Sequence, residues 1–258
     1  MKRLPWFGLP ALIACALTAS PPPASAASMM LVPATATTPA IPAYVVKPDG
    51  AGTFPAVVIL HGCEGFNGFA AVAADRLAVL GYVVAALDTL TPNGIAPCTN
   101  QDATNATADD ARAALAWLAT QPNVMPDRLG IIGFSMGAGA ALNLIDPAGH
   151  PASPPPGLRA LVAYYPGCAG HDGNVAVPVA IFIGALDQVT PAAACATFAA
   201  AGGRSPVLLN TYPGATHGFL IPGPDRDFFG TPVRYDGVAT ADSAIKTARF
   251  FAQYLQAP

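Results

Sequence analysis

The chain has 258 residues, of which 53% are hydrophobic and 10% charged, and its formal net charge is −3. A chain of this length can bury the core of one sizeable domain, and it is too apolar for a disordered polypeptide. It has no block of like charges and no basic patch, which argues against nucleic acid as a partner.

The N-terminus reads as a signal peptide over residues 1–26. Lys2 and Arg3 form a positive start, and residues 4–19 are apolar but broken by Pro5 and Pro10. Ala24-Ser25-Ala26 then closes an A-x-A cleavage pattern. The apolar run is short and kinked for a spanning helix, which needs about 20 residues. Removing 1–26 takes away two cations and shifts the formal charge from −3 to −5. Leu12-Ile13-Ala14-Cys15 offers a second route, resembling a bacterial lipobox, and a lipidated Cys15 is the only expected membrane contact. Residues 27–41, rich in Ala, Thr and Pro, read as a flexible tether, and residues 42–258 as one folded domain. Both routes export the folded part, to the periplasm or beyond. In that setting Cys63, Cys98, Cys168 and Cys195 read as two disulfides, with three pairings open. No C-x-x-C spacing and no clustered histidines accompany them, so no metal site is expected.

Tyr44-Val45-Val46 is a short candidate edge strand. Residues 56–60, "AVVIL", have the unbroken apolar character of a strand buried on both faces. Residues 69–80 carry helical periodicity and end at Gly81, and 82–87 form another buried strand. Residues 88–106, with Pro92, Gly94 and Pro97, read as a long loop. Thr107 and Asp110 resemble a capping box at the start of a helix. Residues 129–134 are a strand and 136–145 a helix, followed by a Pro-rich loop over 146–157. Strands over 158–164, 179–183 and 207–211 and helices over 191–200 and 240–255 complete the chain. Such alternation predicts an α/β fold with a mostly parallel central sheet and helices on both faces.

In an open parallel sheet, functional groups collect beyond the carboxyl ends of the strands. Gly133-Phe134-Ser135-Met136-Gly137 fits G-x-S-x-G between a strand and a helix. A serine there leaves the strand through a sharp, strained turn, and its neighbours must be small. Ser135 needs a base to become a nucleophile, and the base needs an orienting acid. Asp187 and His217 each follow a later strand, and Ser–Asp–His is the chain order that α/β-hydrolases use. In this reading His217 takes the Ser135 proton and Asp187 fixes the imidazole tautomer. The backbone amides of Cys63 and Met136 are the expected oxyanion donors. His61 reads as a residue that shapes the oxyanion loop, and His150 and His171 as solvent-facing loop residues. Glu64, Phe66 and Tyr165 are candidates for the substrate pocket.

Together, "HGCEGFN", "GYVVAALD", "IGFSMGAGAAL", "GALDQVTP" and "YPGATHGF" resemble the dienelactone hydrolase family of α/β-hydrolases, in family order over residues 42–256. The resemblance implies a cofactor-independent hydrolase, and for exported members it implies the pairs Cys63–Cys98 and Cys168–Cys195. Two departures matter. Dienelactone hydrolases proper use a cysteine nucleophile, where this chain has Ser135. Their arginines that hold a substrate carboxylate are missing from the "DTLTPNGIAPC" loop and from position 221, which is Ile221. These differences point to small neutral or aromatic-alcohol carboxylic esters, cleaved through an acyl-enzyme. The alternatives are a lactonase, peptidase or polyester hydrolase on the same residues, or a catalytically silent binding protein.

Overall fold

The computed structural model describes residues 27–99, 103–146 and 153–256. The expected signal peptide with Cys15, and His150, lie outside the described residues.

Six parallel strands form the body of one sheet: β3 (Phe54–Leu60), β4 (Val83–Leu87), β5 (Val124–Phe134), β6 (Leu158–Tyr164), β7 (Val179–Gly184) and β8 (Val207–Tyr212). Every residue of β4 and β7 is buried, as expected of apolar runs covered on both faces. Each fully buried Val, Leu or Ile in them contributes about 1.5–3 kcal/mol. β2 (Ile41–Val46) pairs antiparallel with β4, and β1 (Ser28–Val32) pairs antiparallel with β2. The spatial order is β1-β2-β4-β3-β5-β6-β7-β8.

Helices α1 (Gly68–Val79) and α5 (Gly237–Leu255) cover one face, and α2 (Ala103–Leu118), α3 (Met136–Asn143) and α4 (Ala192–Ala200) the other. Side-chain caps start two of them. Asn67 accepts from the Phe69 amide at 2.9 Å, and Asp236 accepts from the Val238 and Ala239 amides. No helix among the described residues is long and apolar enough to cross a membrane.

The chain runs outward from β3 to β4 and then crosses back to β5 on the other side of β3. Strand order therefore reverses between β3 and β5, which opens a crevice at their carboxyl ends. The residues that follow these two strands are His61 and Ser135.

Three local expectations are corrected. The segment read as a tether is partly folded, because Ser28–Val32 supplies β1 and buries Val32 against the core. This strand also makes β2 an interior strand rather than the sheet edge. Thr107 and Asp110 do not form a cap. The helix α2 already starts at Ala103, and both side chains are buried within it. Thr107 Oγ1 instead bonds Thr89 Oγ1 at 2.9 Å, a long-range partner that local sequence does not reveal. The 219–236 region contains a short hairpin, β9 (Arg226–Phe228) with β10 (Thr231–Val233).

Candidate active site

Ser135 stands between β5 and α3 with φ 51° and ψ −115°. A non-glycine residue at positive φ is strained and needs surroundings that enforce it. Gly133 and Gly137 provide them. A Cβ at Gly133 would meet Ala138 N at 2.6 Å, and one at Gly137 would meet Leu60 O at 2.6 Å. The close passage of β5, α3 and the end of β3 thus requires both glycines. The Gly137 amide donates to His61 O at 3.1 Å, tying the serine turn to the loop after β3.

Two loops complete the polar set. His217 Nε2 lies 2.9 Å from Ser135 Oγ, and His217 Nδ1 lies 2.9 Å from Asp187 Oδ2. Asp187 is held tightly. Its Oδ1 accepts from the Val189 and Thr190 amides, and its Oδ2 also accepts from the Thr190 hydroxyl at 2.9 Å. With both acceptors of the carboxylate occupied, its orientation is fixed. The Tyr165 ring sits edge-on to the His217 ring at 4.8 Å, and Phe228 from the hairpin stacks over it at 6.3 Å. Such an arrangement can move a proton from Ser135 Oγ to Nε2 while the carboxylate stabilises the resulting imidazolium.

The amides of Cys63 and Met136 have no acceptor among the described residues. Met136 N–H is in the first turn of α3, where no helical carbonyl is available and the helix dipole favours negative charge. The Cys63 amide is held from behind by a buried network. Thr89 N–H donates to His61 Nε2 at 3.1 Å, so His61 carries its proton on Nδ1 and donates to Gly62 O at 2.7 Å. Burial holds the His61 pKa below its ordinary value and favours this neutral form. His61 therefore shapes the loop, as expected.

The structure pairs Cys63 with Cys98 and Cys168 with Cys195. The first pair fastens the 88–99 loop beside Ser135, where Cys98 N–H also donates to Cys63 O at 2.8 Å.

A cavity of about 190 Å³ opens at Ser135 and His217. Glu64 and Tyr165 line it, and Phe66 does not. Phe66 turns away to pack near Tyr44, with ring centroids 6.3 Å apart, and the aromatic walls are Phe69, Phe134 and Phe228. Arg226 also lines the cavity. A cation thus reaches the site from β9, outside the two positions where the family resemblance placed arginines. Nothing in the local sequence marks it, because the 219–236 region carries no strand periodicity. A second, open groove flanks Ser135 on the Met136 side and includes Phe229 and His171. His171 is not solvent-facing: its Nδ1 lies 3.1 Å from Asp146 Oδ2 and its ring packs on Phe198. Among the described residues no cluster of three or more potential metal ligands forms.

A model of the dienelactone hydrolase family matches residues 41–255. A Synechocystis protein named by inference as a carboxymethylenebutenolidase is 25% identical over 244 residues, covering 82% of this chain and 91% of that protein. A Klebsiella pneumoniae structure, named by inference as a dienelactone hydrolase, superposes with a TM-score of 0.67 at 22% identity, covering 89% of this chain and 99% of that one. A dienelactone hydrolase-like promiscuous phosphotriesterase from metagenomic libraries superposes with a TM-score of 0.67 at 24% identity, again covering 89% and 99%. These two structures share the α/β-hydrolase fold.

Proposed function

The chain belongs to the dienelactone hydrolase family, and we propose that within it the protein is an exported serine hydrolase of carboxylic esters. The observation that carries this reading is the continuous relay Ser135 Oγ–His217 Nε2 at 2.9 Å and His217 Nδ1–Asp187 Oδ2 at 2.9 Å. Ser135 attacks the ester carbonyl as His217 takes its proton. The carbonyl oxygen, now negative, is received by the Cys63 and Met136 amides, and one such donor lowers the barrier by about 3 kcal/mol. The intermediate collapses, His217 returns the proton to the leaving alcohol, and an acyl-serine remains. Water then enters, loses a proton to His217 and releases the acid.

Export is part of the same proposal. The two cysteine pairs and the A-x-A pattern at 24–26 support an oxidising compartment. Arg226 is offset at the cavity by Glu64 and Asp227, so the lining carries both signs, which supports a neutral ester over a dicarboxylate lactone.

A fluorophosphonate probe tests the reading directly. The wild type should be labelled at Ser135, and Ser135→Ala and His217→Ala should not be. Equal labelling of Ser135→Ala would overturn it. Matched ester, lactone and amide substrates then define the bond cleaved, with the ester turned over fastest.

A further inference from the structure

A second cavity, of about 230 Å³, lies between α1 and α5, directly behind the wall of the reaction cavity. Its lining includes Leu77, Ile132, Leu220 and Ala248. Phe69 and Phe134 line both cavities. Elsewhere, chain neighbours face opposite cavities. Tyr165 faces the reaction cavity and Tyr164 the second one, and Ile221 faces the first and Leu220 the second. Phe134 directly precedes Ser135, so the partition begins one residue from the reacting hydroxyl.

We infer that this apolar annex receives the distal part of the substrate's uncharged tail, with Phe69 as the residue that sets access. The inference rests on the ester-hydrolase reading above. Chemistry restricts the occupant. The Tyr164 and Thr247 hydroxyls in the lining bond each other at 2.8 Å and are already paired. Arg76 is the one charged lining residue, and it is exposed. Val72, Leu80 and Tyr235 in its lining are exposed, so the annex is open to solvent on one side. Its volume exceeds the roughly 150 Å³ at which an apolar cavity takes up benzene, so it accommodates a ring or a short alkyl chain. Each methylene moved there from water improves binding about fourfold.

Of the two partition rings, Phe134 is pinned, stacked on Tyr164 at 5.3 Å and met edge-on by Phe69 at 5.0 Å. Phe69 stands in the first turn of α1 and is only half-buried. It is therefore the ring that can turn aside for a longer substrate.

The test uses two ester series on the full chain, one lengthening the acyl group of p-nitrophenyl esters and one lengthening the alcohol of acetates. In the wild type, kcat/KM should rise from two to eight carbons in one series. Ala248→Phe fills the annex and should lower the eight-carbon to two-carbon ratio by about tenfold or more, with acetate turnover within about twofold. Phe69→Ala removes the movable ring of the partition and should raise the same ratio. This second variant decides the matter if Ala248→Phe does not fold. Ester turnover with a ratio unmoved in the folded variants would overturn the annex and leave the hydrolase reading standing. No ester turnover together with no labelling of Ser135 would overturn both.

Discussion

Two histidine–aspartate pairs lie near Ser135, and their local geometry is almost the same. His217 and Asp187 meet at 2.9 Å, His171 and Asp146 at 3.1 Å. In both pairs the imidazole side chain is 8% exposed and the carboxylate 0%. The difference lies on the other ring nitrogen. His217 Nε2 faces the Ser135 hydroxyl, whereas His171 Nε2 has no hydrogen-bond partner among the described residues. A buried His–Asp pair is thus a general way to satisfy an imidazole. In the mechanism proposed above, the pair with His217 serves as a proton relay because a strained turn presents the Ser135 oxygen to its free nitrogen. His171 instead joins the loop after β6 to the end of α3 and packs on Phe198 of α4.

Removing the oxygen should break the contrast most severely. Ser135→Ala is expected to lower kcat by about 10⁵–10⁶-fold on the best ester of the panel, with little change in melting temperature. Asp187→Asn should follow, lowering kcat by about 10⁴-fold, because an amide can leave His217 in the wrong tautomer. The corresponding change in the other pair, His171→Ala, should leave kcat within about threefold. A loss of about a thousandfold there would show that the two pairs do not differ in kind.

Cys168–Cys195 physically connects the two pairs, three residues before His171 at one end and on the helix after Asp187 at the other. The double variant Cys168→Ser/Cys195→Ser opens a loop with a sequence separation of 27. The chain-entropy account gives a loss of about 3.5 kcal/mol for it. Urea unfolding monitored by fluorescence measures this, and a loss under about 1 kcal/mol would mean that packing alone holds the region. His171→Ala should cost less, about 1–3 kcal/mol in the same assay, since it leaves the buried Asp146 carboxylate without its imidazole donor.

Much of this site was legible before any geometry. Ser135 directly follows a strand, Asp187 and His217 come within a few residues of the ends of later strands, and a parallel sheet gathers strand ends at one edge. The glycines around Ser135 signalled the turn because close backbone passage excludes a Cβ. Other features were not legible, for equally physical reasons. His171 and Asp146 are 25 residues apart and meet only through the packing of a loop on α3. Thr107 and Asp110 looked like a cap because local sequence could not show that Thr89 and Asn93 would bury them. Arg226 and Phe228 belong to a hairpin of three-residue strands, too short to leave a periodic signal. Ser28–Val32 was read as tether because five residues beside Pro and Thr resemble a linker until a sheet edge is available to them.

Asp110 gives the smallest expected effect and extends the contrast to a carboxyl with no histidine. Asp187 receives four donors, whereas Asp110 receives one, from Asn93 Nδ2 at 2.9 Å, and its Oδ1 has no partner. Burial pushes the Asp110 pKa up to about 7, so the native state keeps a proton that the unfolded chain releases near 3.8. The stabilisation from this proton is complete below the unfolded value and is lost as pH rises through about 7. His61 acts in the opposite direction, because its lowered pKa favours the native state above the unfolded value of 6.5 and costs stability on acidification. Asp110→Asn keeps an oxygen for Asn93 and carries no charge. It should therefore raise the melting temperature at pH 8 by about 2–4 °C, roughly 1 kcal/mol, with about a third of that effect at pH 5 and almost none at pH 3. Melting curves for both proteins at the three pH values check this, and an equal shift at all three would mean that shape rather than ionisation controls the position.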